Sequence, residues 1–120
     1  AFALCGLSAL AEEGDLLSQI QARGTLIIGT EGEWSPWTYH DLETGELTGL
    51  DIEIGTLIAH GLGVEPEFME APWDSLLAGV DAKRFDIVCN GVGYTEARAE
   101  KYVLHALCVY TQGSRRPRRQ

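Results

Sequence analysis

Residues 25–30 read Thr-Leu-Ile-Ile-Gly-Thr, TLIIGT, set between Gly24 and the polar run that starts at Glu31. A short apolar run bounded by glycines is the pattern of a strand buried on both faces, as in a parallel sheet. Two further runs lie downstream. Residues 64–70 alternate: Val64, Pro66 and Phe68, with Ala71 beyond, stand against Glu65, Glu67 and Glu70. That predicts a strand with one solvated face. Residues 85–90, Phe-Asp-Ile-Val-Cys-Asn, make the third.

Helical patterns fill the intervals. Leu50, Ile54, Leu57, Ile58 and Leu62 recur at helical spacing, and Gly63 supplies a stop. Pro72-Trp73-Asp74 opens a helix through Leu76, Leu77 and Val80. Ahead of the first strand, Asp15 and Gly24 bracket a short helix carrying Leu16, Leu17 and Ile20. Thr95 begins a last helix through Lys101, residues 31–36 read as a loop, and residues 38–48 as a surface hairpin or turn. Strands alternating with helices predict an α/β fold with right-handed crossovers and a parallel sheet.

The chain has 120 residues, 45% apolar and 22% charged, which suits one small globular domain and excludes a disordered or collagen-like chain. The formal net charge is −9, unevenly spread: residues 1–114 carry −13, and Arg115, Arg116, Arg118 and Arg119 add +4. So acidic a body is a poor neutraliser of phosphate, so no nucleic-acid partner is expected. Residues 1–11, AFALCGLSALA, end in an A-x-A pattern followed by Glu12-Glu13 and read as the back half of a secretory signal peptide. Cys5 falls within it, and lipid attachment there is disfavoured because Leu4 is not small. Cys89 reads as a buried small hydrophobe rather than a disulfide partner of Cys108. His40, His60 and His105 stand far apart, so neither a metal site nor a cofactor is expected.

Ligands of parallel sheets bind outside the carboxyl ends of the strands. Here those ends are the loop from Thr30 to Trp34 and the loop from Asn90 to Gly93. Gly91 and Gly93 leave backbone N–H groups open to close approach. Thr95 is an apt N-cap, which puts Arg98 where a capping box would hold Glu or Gln. A cation there opposes the positive end of the helix, and together with the open N–H groups it suits a carboxylate ligand. The alternative is an arginine paired with a surface acid. In the other loop, Trp34 is expected in the cleft and Trp37 in the packing. Glu31 suits an ammonium, or is a solvated loop acid.

The stretches GTLIIGTEGEWSPWTYHD (24–41), GELTGLDIEIGTLIAHGLGVEPEFMEAPWDSLLAGVDAKRFDIVCNGVGYTEARAEKY (45–102) and YTQG (110–113) resemble, in order and spacing, the N-terminal part of the extracellular solute-binding proteins of polar amino-acid ABC transporters. The resemblance implies a partial first lobe of a type II periplasmic-binding-protein clamshell over residues 12–113, with the first strand in the middle of the sheet. It implies a non-enzymatic binder of a free amino acid, placed outside the membrane, serving an ABC permease and monomeric when intact. It places Glu31 near the ligand, Trp34 over the ligand side chain and Trp73 along the cleft. Asn90, Gly91 and Gly93 match the segment that receives the α-ammonium and α-carboxylate, and Arg98 matches the arginine that pairs with the α-carboxylate.

Two departures stand out. The family continues after KY with a DFSxPY-like stretch, whereas Tyr102 is followed by VLHALC, and residues 114–120 match nothing in the family. These fit a truncation or a reading-frame error, with a basic interaction arm as the alternative for the tail. A chain holding one lobe is expected to bind free amino acids very weakly or not at all. Two other activities share the fold: a cyclohexadienyl-dehydratase-like enzyme, for which Glu31 is the one obvious acid–base candidate, and a sensor domain.

Overall fold

The structure is a computed structural model and describes residues 15–105. The readings made on residues 1–11, on Cys108 and on the basic tail lie outside the described residues.

The element order is α1 (Leu16–Arg23), β1 (Thr25–Thr30), β2 (Glu33–Trp34), β3 (Thr38–His40), β4 (Leu47–Thr48), α2 (Leu50–Gly61), β5 (Glu65–Glu70), α3 (Trp73–Asp81), β6 (Ile87–Val88) and α4 (Glu96–Ala99). Three strands form a parallel sheet in the order β5-β1-β6, so the first strand is central, as expected. β1 and β5 pair along their whole length, from Thr25 opposite Glu65 to Thr30 opposite Glu70. From β1 the chain crosses through α2 to one neighbour, then back through α3 to the other. Right-handed crossovers in opposite directions place the two helices on opposite faces.

Packing follows from that placement. Successive strand residues face opposite sides. Ile28 lies against Gly55 of α2, while Gly29 and Gly79 of α3 both abut the Phe85 ring. The α2 side holds the main core: Ile20, Leu26, Ile28, Ala59, Val64 and Cys89, flanked by Ile58, Leu62, Phe68 and Ile87. β1 is accordingly buried along most of its length, and β5 alternates with its glutamates outward. Asp15 caps α1, its carboxylate accepting from the N–H groups of Leu17 and Ser18, and Gly24 ends the helix in a left-handed conformation.

Three expectations are corrected. The third strand is shorter than residues 85–90, because only Ile87 and Val88 pair with β1. At its ends Phe85 is drawn between Gly29 and Gly79, and the Asn90 side chain joins a buried polar network. The loop of residues 31–36 contains β2, which pairs antiparallel with β3; β3 pairs in turn with β4, so the expected hairpin becomes a small three-stranded sheet. The last helix stops at Ala99 rather than Lys101, and the N–H groups of Lys101 and Tyr102 both donate to the carbonyl of Arg98.

Candidate functional site

The carboxyl ends of β1, β5 and β6 carry the loops that converge on one edge of the sheet. Glu31, Glu33, Glu70, Ala71 and Pro72 line an open pocket of about 400 Å³ there. Trp73 follows Pro72 directly and begins α3.

The seven candidate residues fall into three groups. In the first, Arg98, Gly93 and Trp73 meet. The Arg98 Nη1 donates to the Gly93 carbonyl at 2.9 Å, and its guanidinium carbon stands 5.5 Å from the centre of the Trp73 ring. Thr95 caps α4 by accepting the Arg98 N–H at 3.1 Å, as its position predicts. Among the described residues no carboxylate is ion-paired with Arg98. The surface-acid alternative therefore has no partner here, and the cation keeps donors for an anion.

In the second group, Trp34 and Trp37 stack edge to face, with centroids 6.5 Å apart, and the backbone of Gly91 lies against both. Gly91 has φ of +60°, and a Cβ there would come within 3.2 Å of the Trp34 ring, so both backbone and packing favour glycine. Trp34 is the more exposed of the two indoles, at 41%, while Trp37 is half-buried.

The third group joins Asn90 to Glu31. Asn90 is 1% exposed; its Oδ1 accepts from the Glu31 N–H at 2.7 Å and the Thr30 hydroxyl at 3.1 Å, and its Nδ2 donates to Glu31 Oε2 at 3.3 Å. The Asn90 amide is thus spent on shaping the loop and aiming Glu31. Whatever Asn90 offers a ligand must come from its backbone.

Sequence reading missed three contributors. Glu33 and Glu70 line the pocket, where the sequence shows only a loop over residues 31–36 and the solvated face of a strand. Asp51 carries no signal in the sequence, yet it is 9% exposed and its Oδ2 accepts from the Gly91 N–H, so that N–H, expected to be open to a ligand, is already engaged. Burial pushes the Asp51 carboxyl up from its ordinary value, and the Gly91 N–H opposes that shift. Burial, with the Asp51 charge nearby, raises the Cys89 thiol to about 12, so it is an inert core sulfur.

His40 clasps the small sheet to the pocket. Its Nδ1 faces the Gly45 carbonyl at 2.9 Å and its Nε2 faces Glu70 Oε1 at 2.5 Å. Both partners are acceptors, and only the imidazolium donates from both nitrogens. The Gly45 carbonyl first, then Glu70, with Glu33 adding its charge, hold the His40 pKa above its ordinary value of 6.5. A raised folded-state pKa gives a contribution present below 6.5 that fades as pH rises through the folded value. An NMR titration of the His40 ring should therefore show a midpoint above 6.5, and Glu70→Gln should lower it. A His40 midpoint unchanged by Glu70→Gln would refute the clasp.

The model of the bacterial extracellular solute-binding proteins, family 3, matches residues 26–114. The chain belongs to that family. The L-cystine-binding protein TcyA of Bacillus subtilis is 49% identical to this family 3 chain over 92 residues, covering 77% of the chain and 34% of TcyA. The solved L-cystine solute receptor of Neisseria gonorrhoeae, in its unliganded open conformation, is 46% identical with a TM-score of 0.65, over 72% of this chain and 37% of that one. The arginine-bound form of domain 1 from TmArgBP is 30% identical with a TM-score of 0.66, over 68% of this chain and 64% of that one. A cyclohexadienyl dehydratase of Pseudomonas aeruginosa stands lower, at 28% identity over 75% of the chain and 33% of the enzyme. The family 3 chain spans about a third of the length of the curated relatives it matches.

Proposed function

We propose that this chain forms the first lobe of a receptor that captures a free amino acid outside the cytoplasmic membrane and presents it to the permease of an ABC importer. The observation that carries this reading is Arg98: a half-buried guanidinium, held by the Gly93 carbonyl and the Trp73 face, with no carboxylate paired to it among the described residues. An arginine fork that has kept its donors suits a carboxylate. Three glutamates around the adjoining pocket suit the ammonium that every free amino acid also carries. The exposed Trp34 offers an apolar face for the side chain.

L-cystine is the first ligand to try, because the TcyA protein and the gonococcal receptor are both named for it. Of the two outcomes expected for one lobe, very weak binding or none, a relative solved as an arginine-bound single domain favours binding. On that precedent the chain itself should bind, and more weakly than a two-lobed protein whose closure would exclude water from the same contacts. The dehydratase reading gains nothing from the geometry: Glu31 is engaged by the Asn90 amide, as suits a fixed carboxylate that receives an ammonium.

Isothermal titration of the chain against free amino acids, with L-cystine and L-arginine in the panel, tests the reading. Saturable binding of an amino acid, lost when its α-carboxylate is amidated, is the expected result. Equal binding of the amide would remove the carboxylate site.

A further inference from the structure

We propose that Asp51 is the positioning residue of this site: without touching the ligand, it fixes the glycine loop at Gly91 and the tryptophan loop at Trp37 relative to one another. The inference rests on the amino-acid-binding reading above. Asp51 lies in the first turn of α2 and is 9% exposed. A carboxylate taken out of water must find replacement partners. None of the ion pairs among the described residues includes it. Instead its Oδ2 accepts the N–H of Gly91, 40 residues away in sequence. A helix N-terminus supports such a buried charge, since the dipole favours an anion there.

The same residue also holds the other loop. The first N–H groups of a helix have no partners within it. Here the Leu50 N–H donates to the Pro36 carbonyl at 3.0 Å, and the Asp51 N–H to the Trp37 carbonyl at 2.9 Å. Asp51 thus grips the tryptophan loop with its backbone and the glycine loop with its side chain. Between those grips, Gly91 lies directly against the Trp34 and Trp37 rings. The spacing between the tryptophan loop and the backbone that follows Gly91 is therefore held in part by this one residue. A first-turn acid serving only its helix would face water; this one is turned inward onto a loop.

The test combines titration with L-cystine, thermal melts and tryptophan emission for the wild type, Asp51→Asn and Asp51→Ala. Asparagine keeps an oxygen that accepts the Gly91 N–H, so Asp51→Asn should bind within about threefold of the wild type, with the same ligand-free emission. Asp51→Ala should lose about tenfold or more in affinity and shift the emission of the ligand-free protein, because the indoles against Gly91 are released. An Asp51→Ala variant that binds within about threefold overturns the proposal, as does an Asp51→Asn variant impaired as badly as the alanine. Should the alanine variant fail to fold, the wild type decides. Its Gly91 amide proton must move with the Asp51 carboxyl titration and exchange more slowly than those of Val92 and Gly93; an insensitive amide overturns the proposal. Wild-type protein that binds neither L-cystine nor any other amino acid sinks the functional reading instead, and the positioning role with it.

Discussion

Arg98→Ala is expected to weaken amino-acid binding by about 30- to 1,000-fold, or about 2–4 kcal/mol, because it leaves a desolvated carboxylate without its charged partner. The stability cost should be small. In the free protein Arg98 gives up one hydrogen bond, to the Gly93 carbonyl, and one ring contact, to Trp73. At a half-exposed position a cation–ring contact is worth about 0.5–1 kcal/mol. Arg98→Lys should also lose much of the affinity, since an ammonium cannot present two parallel donors. Calorimetry on matched samples decides it: a loss below about threefold for Arg98→Ala would take this arginine out of the site. A collapse in melting temperature alongside the lost binding would mean that the residue serves the fold instead.

Local patterns and contacts between distant residues differ in how far the sequence displays them. Arg98 stands out in the sequence because it takes the third helical place after Thr95, where a capping box would hold Glu or Gln; with α4 ending at Ala99 that place is also the last turn, where a cation is favoured, so the expected clash with the helix N-terminus does not arise. The sheet was legible because TLIIGT, short and bounded by glycines, reads as a strand covered on both sides, and the family resemblance then put it in the middle. What escaped depends on contacts between distant residues. β6 looked six residues long because Phe85 and Asn90 are as buried as strand residues, yet one is wedged between two glycines and the other is tied into the Thr30 network. Asp51 and Gly91 are 40 residues apart, and no periodicity within α2 reveals that the Asp51 carboxylate faces inward. Glu70 looked like one more outward glutamate of β5, and only the fold brings it to His40 and the pocket.

Asn90 should behave in the opposite way to Arg98, losing stability before affinity. The described donors form a relay that ends on its side-chain oxygen. The Gly32 N–H donates to Thr38 Oγ1 at 3.2 Å, and the Thr38 and Thr30 hydroxyls stand 2.7 Å apart. Each hydroxyl carries a single proton, so one arrangement satisfies every contact: Thr38 donates to Thr30, and Thr30 donates to Asn90 Oδ1. That oxygen also takes the Glu31 N–H. Thr30 and Thr38 are both fully buried, so no water can stand in for a lost acceptor. Asn90→Leu, close in volume but without polar atoms, should strand the Thr30 hydroxyl and the Glu31 N–H at about 1–3 kcal/mol each. For a domain of this size each kcal/mol lowers the melting temperature by about 4–8 °C. Asn90→Asp keeps the acceptor but sets a second carboxylate against Glu31 Oε2 where the amide now donates. Like charges at that distance favour protonation, so the pair's pKa rises on folding, and the deficit of Asn90→Asp relative to the wild type should shrink as pH falls. Melting curves for the two variants across pH would show this directly. An Asn90→Leu protein that melts like the wild type but has lost its ligand would put the Asn90 side chain on the ligand and not in the frame behind Glu31.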